Sequence, residues 1–188
     1  DGVEFYPFRR GNDFYHHYRE DIALFAEMGL KLFRTSICWS RIYPNGDDLE
    51  PNREGIEWYR SMLGECKKHG IKTFVTMLHY DIPVNLVTTY GGWKNRKTID
   101  FFARYVETIV TELGDLVDFW LPFNEFNAAR FSPWDGVCLV KDEEGENFDR
   151  AIFQCLHHEF VANARAVEIV HRLSSDTPVG GMIARFCT

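Results

Sequence analysis

Apolar runs of strand length alternate along this chain with longer segments of helical period, and that alternation decides the class of fold. Four runs are expected to be strands: Lys31–Arg41, carried by Leu32, Phe33 and Ile37; Ile71–His79; Val117–Phe123; and Pro178–Ala184. A helix over Tyr15–Met28, stopped by Gly29, precedes the first. Helices over Glu54–His69, stopped by Gly70, over Lys97–Leu113 and over Phe148–Leu173 separate the four. The buried stripe of the last helix is expected at Ile152, Leu156, Phe160, Ala164, Val167 and Val170. Strands that are apolar on both faces and alternate with helices make a parallel α/β sheet, either doubly wound or closed into a barrel. Nothing in 188 residues marks a linker, so one domain is expected. Residues 1–13 and 126–147 read as connections, with Asp142-Glu143-Glu144 as a solvated acidic run.

Bulk properties remove several function classes. A net charge of −7 argues against long nucleic acid, whose binding depends on clustered Lys and Arg. No apolar run approaches the roughly 20 residues that span a bilayer, and no secretory signal is visible. The five cysteines, Cys38, Cys66, Cys138, Cys155 and Cys187, are odd in number and form no Cys-x-x-Cys. Free thiols in a reducing compartment fit that pattern, and a cytoplasmic location is expected.

The ends of the strands carry the chemistry. In parallel α/β folds, ligands bind at the carboxyl ends of the strands. The third run ends in Asn124-Glu125, an amide beside a carboxylate. Desolvation at such a place would raise a Glu towards the working range of a general acid. The second run ends in His79, and Arg34 lies within the first. Taken singly, each has a structural reading: a helix-start Asn, a solvated Glu, a loop histidine, an ion-paired arginine. Together they would line one mouth of a barrel. Other chemistries fail on spacing. No Gly-rich turn follows a strand, so dinucleotide and P-loop sites are not expected. His158-Glu159 would begin a zinc-protease helix, but Ala162 occupies the second ligand position, and His157 and His158 read as ordinary helix residues. No Gly-x-Ser-x-Gly elbow is present.

These residues sit in motifs that resemble glycoside hydrolase family 1, and within it the bacterial 6-phospho-β-glucosidases. The matching segments are Asp13–Gly29, Phe33–Gly46, Leu78-His-Tyr-Asp-Ile-Pro83, Tyr90-Gly-Gly-Trp93 and Phe123-Asn-Glu125. The resemblance covers nearly the whole chain. It implies a (β/α)8 TIM barrel, of which residues 1–188 would be the N-terminal half and supply, by analogy, the second to fifth strands. It implies retaining hydrolysis of β-glucosides, most readily 6-phospho-β-glucosides, with no metal or organic cofactor, because two carboxylates suffice. By motif, Glu125 would be the general acid/base. Asn124 and His79 would hold sugar hydroxyls, and Arg34 would keep the nucleophile ionised.

The sequence departs from the family in four places. It contains no Glu-Asn-Gly, the motif that supplies the family nucleophile; Glu146-Asn147-Phe148 is the nearest string. The first strand with its sugar-binding Gln is missing, as is the late loop with which the phospho-glucosidases grip the 6-phosphate. Ala128 stands where those enzymes often carry a second Asn. A (β/α)8 domain usually needs about 250 residues. The 188-residue chain alone is therefore expected to have little or no glycosidase activity. It would be either part of a longer enzyme or a half-barrel that only binds sugar or associates with itself through exposed edges. A β-glucosidase for unphosphorylated substrates is the remaining alternative.

Overall fold

The computed structural model describes residues 11–139 and 147–185. The acidic run at 142–144, Cys187 and most of the N-terminal loop lie outside the described residues. Helix α1 (Phe14–Glu27) leads into β1 (Leu32–Ser36), a short helix α2 (Trp39–Ile42) and α3 (Arg53–Lys68). Then follow β2 (Lys72–Leu78), α4 (Val84–Tyr90), a 3-10 turn at Gly92–Lys94 and α5 (Lys97–Leu113). After a second 3-10 turn come β3 (Phe119–Phe123), α6 (Ala128–Phe131), α7 (Pro133–Val137) and α8 (Phe148–Leu173).

The strands form a parallel sheet in the order β1-β2-β3. Arg34 pairs with Phe74, Phe74 with Phe119, and Leu78 with Phe123. Alternate residues of a strand face opposite sides of the sheet. Val75, Met77 and Trp120 are accordingly fully buried in the core that the helices cover. Arg34, Phe74 and Phe119 share the other face, where the guanidinium lies 5.8 Å from the Phe74 ring and the two phenyl rings stand 6.1 Å apart. An aromatic cluster joins α5 to the loops that leave the strands. Phe102 touches Trp39, Trp93, Tyr105 and Phe123, at centroid distances of 4.8–5.9 Å. The Tyr105 hydroxyl donates to the carbonyls of Ile37 (3.0 Å) and Met77 (2.8 Å), tying the ends of β1 and β2 together.

Four sequence expectations need correction. Pro178–Ala184 is not a strand. Among the described residues it makes one bridge, Val179 to Trp120, through Trp120 N–H to Pro178 O (3.0 Å) and Gly180 N–H to Trp120 O (2.9 Å). Two residues on, Pro122 takes the next position of β3 that would face this segment, and proline has no N–H to extend the ladder. The described sheet thus has three strands where four were expected. The first strand stops at Ser36 rather than continuing to Arg41, because Trp39 turns inward to stack on Tyr105 at 5.3 Å. The described part of the connection after β3 holds two short helices.

Helix α8 spans the expected residues, and Ile152, Leu156 and Val170 of its expected stripe are buried. The buried face extends round one side, through Ala151, Cys155, His158, Glu159, Ala162, Ala166 and Ile169, while Phe160 is 54% exposed and Ala164 and Val167 are not buried. Small residues on that face let α8 lie close against α5 and the Gly92–Lys94 turn. Nor are His157 and His158 equivalent. His157 is exposed, whereas the buried His158 donates from Nδ1 to the Trp93 carbonyl (2.7 Å), and its Nε2 meets the Gln154 amide (2.9 Å). No described helix is long and apolar enough to cross a membrane.

Candidate active site

Three of the four expected site residues meet at one end of the sheet. Arg34, exposed on β1, extends across β2, where its Nε and Nη2 lie 3.4 and 3.3 Å from the Thr76 hydroxyl. Its Nη2 then donates to Asn124 Oδ1 at 2.7 Å. Such a charge-assisted bond is short and directional. It uses the amide oxygen of the buried Asn124 and so presents the amide nitrogen as a donor. The backbone N–H of Asn124 donates to Leu78 O (3.1 Å), which fixes the residue at the sheet's end.

Glu125 follows, half-buried. Its backbone is left-handed, with φ at 33°, and so is that of Tyr80, with φ at 73°. Neither is glycine, so each conformation costs on the order of 1–3 kcal/mol. The register explains why both occur. Leu78 and Phe123 are paired, so Tyr80 and Glu125 each lie two residues beyond the last pair of adjacent parallel strands. The Tyr80 hydroxyl donates to Glu125 Oε2 at 2.6 Å. Burial, then this bond to a carboxylate, pushes the phenol up to about 12. Tyr80 was not singled out from sequence. The signal is its place in the register, which cannot be read before the strands are paired.

His79 lies nearby but makes no side-chain hydrogen bond to Arg34, Asn124 or Glu125 among the described residues. Its ring is exposed and packs edge-on to Tyr80 at 5.2 Å. Its basicity is lowered, first by the burial it does have and then by the Arg34 charge, so it stands as a neutral imidazole at pH 7. Its backbone N–H is held by Asp81 Oδ1 at 3.2 Å.

Two cavities flank Tyr80. A small one is bounded by Tyr80, Trp93, Phe123, Asn124, Asp135 and Glu159. A larger apolar cleft of about 310 Å³ lies between α4 and α7, along Ile82, Val84, Val87 and Trp134. Helix α7 is held there by Gly136, where a Cβ would stand 2.3 Å from the Ala129 nitrogen, so only glycine fits. Glu159, also missed from sequence, is 2% exposed, and burial raises its carboxyl well above the ordinary value. No group of three or more His, Cys, Asp or Glu among the described residues could hold a metal ion.

The chain is similar to known proteins along nearly its whole length. The chain is 52% identical to the 6-phospho-beta-glucosidase AscB of Escherichia coli over 181 residues, covering 96% of this chain and 38% of AscB. It is 50% identical to the aryl-phospho-beta-D-glucosidase BglH of Bacillus subtilis, over the same shares. A solved beta-glucosidase of Thermotoga maritima in complex with castanospermine superposes with a TM-score of 0.81 at 30% identity, covering 91% of this chain and 38% of that one. The chain thus spans little more than a third of the length of these relatives. The model of glycosyl hydrolase family 1 matches residues 9–187, and with relatives at half identity along nearly its whole length the chain belongs to that family.

Proposed function

We propose that residues 1–188 are the acid/base half of a (β/α)8 barrel that hydrolyses β-glucosides with retention, and that its substrates are 6-phospho-β-glucosides. The observation that carries this reading is Glu125 at the end of β3, hydrogen-bonded by Tyr80 and preceded by an Asn124 that is oriented by Arg34. Glu125 would give its proton to the glycosidic oxygen as the bond from that oxygen to C1 breaks. Its carboxylate would then take a proton from the water that attacks C1. Asn124 and the neutral His79 would bind sugar hydroxyls. The nucleophile would come from a strand outside this sequence, about 5–5.5 Å from Glu125 in a retaining pair. Arg34, on the interior face, would keep it ionised. Two carboxylates complete this chemistry without a cofactor. The phosphate preference is supported by identity: the relatives at 52% and 50% are named for phospho-glucosides, and the beta-glucosidase structure stands at 30%. No disulfide joins any two of the described cysteines, in keeping with a cytoplasmic enzyme.

The test is Glu125→Gln in a polypeptide that carries all eight strands, assayed on 6-phospho-β-glucosides of graded leaving groups. The kcat/KM for alkyl or phenyl leaving groups is expected to fall by about 10²–10⁴, the contribution of a general acid. A dinitrophenyl leaving group needs no proton and should be cleaved almost as fast in the first step. Equal losses on all substrates would overturn the assignment of Glu125. Equal rates on phosphorylated and plain glucosides would overturn the phosphate preference.

A further inference from the structure

The geometry assigns Tyr80 as the positioning residue of the acid/base: its phenol holds Glu125 Oε2, so that Oε1 is the oxygen that carries and delivers the proton. This rests on the acid/base reading of Glu125 and goes beyond it, by naming the group that sets the carboxyl's orientation and the oxygen that reacts.

The two side chains meet because of the sheet. Leu78 and Phe123 are the last paired residues of β2 and β3, and Tyr80 and Glu125 occupy the same step beyond them. Both adopt the left-handed backbone that side chains seldom adopt. Strain of this kind persists where surrounding contacts over-determine it, and it clusters at working sites. Tyr80 is fixed from several sides. Its carbonyl accepts from Cys138 Sγ (3.7 Å), its ring lies edge-on to His79, and it walls both cavities below α7. The 2.6 Å bond to Glu125 therefore runs from an anchored donor to a carboxyl on a half-buried turn.

The chemistry follows from which atom donates. Oε2 accepts from Tyr80, so the exchangeable proton of Glu125 sits on Oε1. In the first step that proton passes to the glycosidic oxygen, which also takes the electron pair of its broken bond to C1, while the nucleophile's carboxylate bonds to C1 and forms a glycosyl ester. The charge left on the carboxylate is met by the tyrosine O–H, which stays protonated because its phenol titrates far above neutrality. In the second step Oε1 takes a proton from water as the water oxygen bonds to C1, and the electron pair of the glycosyl ester returns to the nucleophile. Tyr80 begins and ends each turnover as a phenol.

The experiment compares Tyr80→Phe and Glu125→Gln in a polypeptide that carries all eight strands, on aryl 6-phospho-β-glucosides whose leaving phenols span a range of acidity. Tyr80→Phe is expected to lower kcat/KM about tenfold or more for phenyl, as misplacement of a catalytic group does, and less than about threefold for 2,4-dinitrophenyl. It should also move the alkaline limb of the kcat/KM profile to higher pH, because the carboxylate has lost a donor. The retained dinitrophenyl rate reports that the variant is folded. If Glu125→Gln shows graded losses and Tyr80→Phe shows a uniform loss, or none, the role given to Tyr80 is wrong. If Glu125→Gln itself is uniform, the acid/base reading falls and the role of Tyr80 falls with it.

Discussion

Phe102→Ala is expected to remove about 3–5 kcal/mol of folding stability, the range for truncating a buried aromatic in a close-packed core. Phe102 is fully buried on α5, at the centre of the rings of Trp39, Trp93, Tyr105 and Phe123. Its closest ring contact, at 4.8 Å, is with Phe123, the residue before Asn124-Glu125. The neighbours are themselves anchored, Tyr105 by hydrogen bonds to two strand ends and Trp93 by burial, so the space left by the ring would stay largely open. With total stabilities of about 5–15 kcal/mol typical of a domain, the loss would be a large share of the whole. Urea unfolding followed by circular dichroism is the measurement. The midpoint should fall with the slope unchanged, and Phe102→Leu, which keeps most of the volume, should cost much less. A loss below about 1 kcal/mol for Phe102→Ala would mean that the cluster collapses around the gap and does not brace the site.

The helices were legible because their signals are local. Lys97–Leu113 and Phe148–Leu173 have the bounds that periodicity and flanking residues predict, and Asn147 caps the latter by accepting from Arg150 N–H at 3.0 Å. The strand β2 is legible for the same reason, with Phe74, Val75, Met77 and Leu78 interleaved with the strand-favouring Thr73 and Thr76. What was not legible depends on partners distant in sequence. Trp39 looks like the end of a strand until Tyr105 and Phe102 are beside it. Pro178–Ala184 has strand composition, but its neighbour offers Pro122 where a donor is needed. The same division runs through the site. Arg34, His79, Asn124 and Glu125 were readable as polar residues within or at the ends of apolar strands. Tyr80 was not, because its partnership with Glu125 arises from the register of two strands and two left-handed residues. The buried face of α8 was legible in Ile152, Leu156 and Val170, but Phe160 and Val167 draw the stripe towards themselves, while Ala151, Cys155, Ala162 and Ala166 mark the side that packs closely. A carboxylate in the middle of that small-residue face was the available sign that Glu159 is unusual.

Glu159→Gln is expected to stabilise the protein at neutral pH and to flatten the fall of stability as pH rises. The carboxyl is 2% exposed, and no group among the described residues hydrogen-bonds it. Burial alone raises it well above its ordinary value of 4.5. The nearby Cys138 thiol is pushed up to about 12, by its own burial first and by Glu159 second, so neither group supplies a positive charge to the other. The sign follows from proton counting. Below the unfolded value of 4.5, both states hold the proton and the full stability is present. Above it, the unfolded chain releases the proton and the folded chain keeps it, so stability falls by about 1.4 kcal/mol per pH unit until the folded carboxyl ionises. Glutamine has the same shape and stays neutral in both states, so this dependence disappears. Urea unfolding of both proteins at a series of pH values upward from 4.5 makes the comparison. All other groups titrate in both, so the difference isolates Glu159. The two stability curves should meet near pH 4.5 and separate steadily above it, with the variant higher. Parallel curves would mean that the carboxyl is ionised in the folded state, with a cation or water network meeting it in the small cavity beside Asn124 and Tyr80.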